Sequence, residues 1–170
     1  MTEAKNPVVE MKTNLGSVTI ELWADKAPKT AENFLAYVDE KFFDGTIFHR
    51  IISNFMIQGG GFTPDMQQKR THSPIRNEAR SDVGNKRGTI AMARTSDINS
   101  ATAQFFINVV DNDFLTHKND SPAGFGYAVF GAVTSGMEVV DAIKAVRTTS
   151  RHGMQDVPVD PVVIEEIRRV

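Results

Sequence analysis

Not one cysteine occurs in the chain. That excludes disulfides, thiol nucleophiles and thiolate metal sites, and it is compatible with a reducing compartment. Met1-Thr2-Glu3-Ala4-Lys5-Asn6-Pro7 has no basic start followed by an apolar run, and no window approaches the length of a membrane span. The chain therefore reads as cytoplasmic. A basic stripe is missing too. The formal charge is −2 and both signs are interspersed, so neither nucleic acid nor a membrane surface is an expected partner. Internal repeats and low-complexity tracts are absent as well.

Several motifs are incomplete in ways that decide against them. Gly59-Gly60-Gly61 is not followed by Gly-Lys-Ser/Thr, so a bulge or a close backbone approach is expected there and not a phosphate loop. Asp111-Asn112-Asp113 begins like a calcium loop but has Thr116 where the sixth-position glycine belongs, which leaves a turn. His49, His72, His117 and His152 are scattered without metal-ligand spacing, so no metal or other cofactor is expected. His49 is read as a hydrogen-bonded core residue. Gly-x-Ser-x-Gly is absent, and covalent hydrolysis has no support.

What is present reads as one β-rich domain. At 170 residues and 41% apolar content, a single domain over 1–170 can bury a substantial core. Eight strands are predicted: Val8 to Lys12, Ser17 to Leu22, Ile47 to Ile52, Met56 to Gly60, Thr89 to Ala93, Phe105 to Asn108, Val129 to Val133 and Val162 to Ile167. Hairpins and long loops join them, which favours a closed antiparallel barrel, since closure leaves no exposed edges. Two helices interrupt the strands. Pro28 suits a first-turn position, and Ala31, Phe34, Leu35 and Val38 form one apolar stripe to about Asp39. A second helix is predicted from Ser135, with Ser135 and Glu138 as a capping box, to about Val146. Two helices suit two open barrel ends. Side chains fill the interior of an eight-stranded barrel, so a ligand site belongs on its outer wall. The long polar loops Thr63 to Gly88 and Thr116 to Gly126 are expected to border it.

Arg50 is the residue that needs an explanation. It stands in the apolar run Phe48-His49-Arg50-Ile51-Ile52, where a guanidinium needs a partner, a wet groove or a ligand. An edge-strand arginine facing water is the plain alternative. Alternation places Phe48, Arg50 and Ile52 on one face. A two-residue loop at Ser53-Asn54 would set Arg50 opposite Ile57, whereas a three-residue loop including Phe55 sets it opposite Gln58. Only the second gives it a polar neighbour, on a face shared with Met56 and flanked by Phe55.

Together with Gly88-Thr89-Ile90-Ala91-Met92-Ala93, Gln104-Phe105-Phe106-Ile107-Asn108 and the helix segment Ala27-Pro28-Lys29-Thr30-Ala31-Glu32-Asn33-Phe34, these residues resemble the cyclophilins. Asp111 to Leu115 and Gly153 to Pro158 look like the family's bacterial cytoplasmic branch. The resemblance spans Gly16 to Val163. It implies a cyclophilin-like barrel capped by two α-helices and peptidyl-prolyl cis-trans isomerase activity on Xaa-Pro peptides and unfolded protein clients. It further implies Arg50, Gln58 and Phe55 as catalytic residues, and a substrate groove of Met56, Ala93, Gln104, Phe106, Phe114, Leu115 and Tyr127. Adjacent strand residues face opposite ways, so Phe105 is assigned to the core and Phe106 to the pocket.

Rotation about an Xaa-Pro bond makes and breaks no bond, so the reaction needs no nucleophile, metal or cofactor. A proline-segment binding module or chaperone with incidental turnover is the competing reading. The chain also departs from the best-known eukaryotic members. Phe114 replaces a tryptophan, Tyr127 stands where many have histidine, and Arg94-Thr95 replaces an asparagine-containing pair. Loss of the indole N–H predicts weak cyclosporin binding. A monomer is expected.

Overall fold

Ten strands and two α-helices make up the computed structural model, which describes residues 6–170. In chain order they are β1 (Val8–Thr13), β2 (Gly16–Leu22), α1 (Pro28–Asp39), β3 (Thr46–Ile52), β4 (Met56–Gly59), β5 (Thr89–Met92), β6 (Phe105–Asn108), β7 (Val129–Ser135), α2 (Met137–Lys144), β8 (Thr148–Arg151), β9 (Met154–Pro158) and β10 (Val163–Arg169). Eight strands close an antiparallel barrel in the order β1-β10-β3-β4-β6-β5-β7-β2. The strand pattern and the barrel stand as expected.

Inside, aromatic rings fill the space. Phe34 of α1 lies 5.0 Å from Phe43, 5.6 Å from Phe105 and 5.2 Å from Phe130, centroid to centroid. Each of these rings is essentially inaccessible to water. With the lumen occupied, no ligand can enter it, and binding surface must come from the outside. The first helix starts at Pro28 without a side-chain cap of its own; the Glu78 carboxylate, from the long loop after β4, accepts from Thr30 N and Thr30 Oγ1 at 2.6 Å. That contact ties the long loop to the barrel cap. From α2, Val140 and Ile143 are buried in the same interior cluster.

Three expectations need correction. The second helix begins at Met137 and not at a Ser135 capping box: Gly136 is its N-cap, at φ +97, and no side chain caps it. A Cβ at Gly136 would lie 2.6 Å from Ser17 O, so the chain turns out of β7 through the one residue with room to do so. The β8–β9 hairpin is an addition outside the barrel. It turns at His152-Gly153, both at positive φ, and Val157 of β9 packs on Ile47 and Met66 over the outside of β3.

The third correction concerns the strand that carries Arg50. A β-bulge interrupts β3 between Phe48 and Arg50, pairing Phe48 with Gly59 and Arg50 with Gln58. Phe48 therefore points into the barrel together with Ile51, while Arg50 and Ile52 face outward. One extra residue, His49, breaks the alternation.

Candidate active site

Arg50 reaches the outer wall because of that bulge, and its neighbours follow from the register. The loop Ser53-Asn54-Phe55 closes with Phe55 N donating to Ile52 O at 2.9 Å, so Ile52 pairs with Met56 and Arg50 with Gln58. Across the next ladder Gln58 pairs with Phe106, and Phe106 with Ala91. Alternation on β6 sends Phe105 inward and Phe106 outward, as expected.

Arg50, Phe55, Met56, Gln58, Ala93 and Phe106 surround a pocket of about 130 Å³, completed by Arg94, Leu115 and Tyr127. Drug-sized ligands occupy about 300 Å³ or more, so the cup admits one small ring or side chain. One side of it is apolar, and Arg50, Gln58 and Arg94 make the other side polar. Phe106 and Tyr127 meet edge to face at 5.6 Å, and Met56, Leu115 and Phe106 pack in one cluster. Phe114 lies outside the cup. It is 61% exposed and stacks on Phe55 at 5.7 Å, forming a rim. Gln104 lines a neighbouring, more polar pocket of about 330 Å³ that shares Gln58, Ala93 and Arg94 with the cup.

A chain of amides fixes the polar side. Gln58 Nε2 donates to Gln104 Oε1 at 3.0 Å, which leaves Gln58 Oε1 toward Arg50 Nη1 at 3.5 Å. Gln104 in turn lies against Gly61, where a Cβ would come within 2.5 Å of its Cγ. The glycine run after β4 thus serves close approach, as its sequence suggests. The Arg50 contact is long, so its N–H groups remain largely available.

Beneath Arg50, His49 is buried against Phe62 at 4.4 Å, and its Nδ1 has no hydrogen-bond partner among the described residues. The expectation of a hydrogen-bonded histidine fails at that nitrogen. Burial, reinforced by the adjacent Arg50 cation, pushes its pKa down to about 4. His49 is therefore neutral near pH 7, and Arg50 is the only charge on this strand segment.

Two features escaped the sequence. Arg94 lines both pockets, with its guanidinium over the Tyr127 ring at 4.7 Å. Behind the cup, Asn112 Nδ2 donates to Phe55 O and Asn108 Oδ1 at 2.9 and 2.8 Å, Asn108 Nδ2 to Asn85 Oδ1 at 3.1 Å, and Asn85 Nδ2 to Leu115 O at 3.2 Å. All three amides are buried, so they pin the Phe55 tip and Leu115 from the rear.

Comparison with known proteins points to one family. Residues 8–169 match the family described as cyclophilin type peptidyl-prolyl cis-trans isomerase/CLD. A peptidyl-prolyl cis-trans isomerase of Streptomyces antibioticus is 63% identical over 160 residues, covering 94% of this chain and 96% of its own. Peptidyl-prolyl cis-trans isomerase B of Escherichia coli is 56% identical over 161 residues, covering 94% and 98%. Among solved structures, a cyclophilin-type isomerase of Cryptosporidium parvum crystallised in the presence of the dipeptide Ala-Pro superposes with TM-score 0.78 at 26% identity, over 96% of this chain and 98% of that one. No described helix is long and apolar enough to cross a membrane. The closed barrel, the outer-wall cup beside Arg50 and these likenesses together make the chain a member of the cyclophilin-type peptidyl-prolyl cis-trans isomerase family, an enzyme that rotates Xaa-Pro bonds and assists protein folding.

Proposed function

We propose that the cup holds the proline ring of an Xaa-Pro segment and that Arg50 donates to the proline nitrogen as the bond twists. In the planar amide that nitrogen shares its lone pair with the carbonyl and accepts poorly. Halfway through rotation the lone pair is restored, so a fixed donor binds the twisted state more tightly than either planar one. The observation that carries this reading is Arg50 in one small cup with the apolar side formed by Phe55 and Phe106, in no ion pair with any described carboxylate.

The energetics require help from the cup. Shortening a step of ~100 s to ~1 ms takes about 7 kcal/mol at ~1.36 per decade, more than one hydrogen bond supplies. Phe55, Met56, Phe106, Leu115 and Tyr127 grip the ring and keep water away, which strengthens the Arg50 interaction. Gln58, steadied by Gln104, holds the guanidinium or the substrate carbonyl. Ala93 and Gln104 line the path of the flanking backbone, with Phe114 on the rim.

Short Xaa-Pro peptides and unfolded segments fit this reading, because the cup admits a side chain and is open to solvent on one side. The Ala-Pro dipeptide named with the Cryptosporidium structure supports the same substrate class. One folding unit is supported by an interior cluster that runs from Val9 to Ile167. The test is exchange NMR of an Ala-Pro peptide at substoichiometric protein. An isomerase at this site averages the cis and trans signals of the whole peptide pool. A binding module perturbs signals only in proportion to the bound fraction.

A further inference from the structure

Arg94 is a second cation in the groove, and nothing in the proline chemistry calls for it. Its Nε donates to Gly126 O at 3.0 Å, Nη1 to Thr95 O at 2.8 Å and Nη2 to Pro122 O at 3.3 Å. Carbonyls orient a guanidinium without neutralising it, and two of its five N–H groups remain unused. No described carboxylate forms an ion pair with Arg94 or with Arg50. Neither the cup nor the polar pocket beside it is lined by any Asp or Glu.

The described acids of the flanking loops point to other partners than the two guanidiniums. Asp113, next to Phe114 on the rim, is 2.6 Å from Lys86. Asp97 Oδ1 accepts from Asn99 N at 3.0 Å within its own turn. Glu78 caps α1, and Asp120 faces His117. A chain with net charge −2 therefore presents two guanidiniums without an ion-pair partner among the described residues at the place where substrate lies.

Beyond Arg94, the second pocket is walled by neutral polar groups, Gln68, Thr71, Thr95, Ser100 and Thr102, with Gln58 and Gln104. A residue in it can accept hydrogen bonds but meets no negative charge. At ~3.3 Å per residue, an extended peptide with its proline in the cup brings a residue one or two positions away beside Arg94. We infer that Arg94 is a specificity-determining residue that favours Xaa-Pro substrates with an Asp or Glu within two residues of the proline. This rests on the reading of the cup as the proline site.

The experiment measures exchange-NMR turnover of matched peptides carrying Glu, Gln or Lys one or two residues to either side of the proline, at low and high salt. At the position that reaches Arg94, Glu is expected to exceed Gln by ~3- to 10-fold in kcat/KM at low salt, with Lys lowest, and the spread to collapse at high salt. Arg94→Gln should reduce the Glu/Gln ratio toward one. Arg94→Lys loses the same loop carbonyl contacts but keeps the charge, so it should retain the ratio and separate charge from loop packing. Equal turnover of Glu and Gln at every position, or a Glu/Gln ratio unchanged by Arg94→Gln, overturns the inference while leaving the proline site intact. Failure to turn over even the Gln peptides overturns the proline site itself.

Discussion

Gln58 donates from Nε2 to Gln104 Oε1 at 3.0 Å, and this single bond decides which end of the Gln58 amide faces Arg50. Reversed, the amide would present N–H groups to a guanidinium, donor against donor. Gln104→Ala removes the orienting acceptor and frees Gln58 to turn. The expected result is a loss of about tenfold in kcat/KM, the worth of roughly 1.4 kcal/mol, with little change in thermal stability. Steady-state kinetics beside a melting curve checks it, and an unchanged kcat/KM removes Gln104 from the site.

Asn112 holds the tip of the β3–β4 hairpin through Phe55 O, a contact between residues 57 positions apart. Asn112→Ala leaves Asn108 Oδ1 without its buried donor and Phe55 O with only the longer bond from Val109 N, at 3.2 Å. The expected cost is about 1 to 3 kcal/mol in urea unfolding. Weaker peptide binding should accompany it, as Phe55 loses the shorter of the two bonds to its carbonyl. A variant equally stable and equally active would contradict the anchoring role.

His49 gives a pH signature. Its folded pKa of about 4 lies below the ordinary 6.5, so the unfolded chain binds a proton that the folded chain refuses. The stability from keeping it neutral is whole above pH 6.5 and is lost as pH falls toward 4. The loss amounts to roughly 3 kcal/mol at ~1.36 per unit. Urea midpoints across this range should fall less steeply for His49→Leu, which cannot titrate. Parallel slopes would show that other groups carry the acid sensitivity.

Phe114 stacks on Phe55 at the rim with no polar edge to offer. Phe114→Trp adds an indole N–H beside the groove, and one new hydrogen bond of about 1 kcal/mol predicts roughly fivefold tighter cyclosporin binding by calorimetry. Unchanged affinity would remove Phe114 as a determinant of cyclosporin binding, with Tyr127 or the Thr116 to Gly126 loop as the next positions to test.

Legibility in the sequence followed physical range. Val18, Ile20 and Leu22 alternate so regularly that β2 and its hairpin could be read directly, and Pro28 with the Ala31, Phe34, Leu35 and Val38 stripe located α1. The pairing of Arg50 with Gln58 was accessible because a hairpin loop is short and its register is nearly forced. The bulge at His49 was not, since no glycine or turn residue marks it, and one inserted residue reverses every side chain before it. Strand β8, Thr148 to Arg151, is polar and mostly exposed, so hydrophobic alternation could not reveal it; the turn at His152-Gly153 was the available signal. Arg94 and the Asn85, Asn108 and Asn112 amides acquire their place in the site from partners distant in the chain, Gly126 and Pro122 for Arg94 and Phe55 and Leu115 for the amides. No local pattern encodes those.

Arg50 carries the central claim, and the most direct measurement compares Arg50→Ala and Arg50→Lys with the unaltered protein for both isomerisation rate and ground-state affinity toward one Xaa-Pro peptide. The expected result is a rate reduction of roughly 100-fold or more for Arg50→Ala, with affinity changed only a few-fold, because the donor acts on the twisted bond. Lysine, a point charge without the planar fork, should recover only part of the rate. Rate and affinity falling in equal proportion, or a rate untouched by Arg50→Ala, would contradict it.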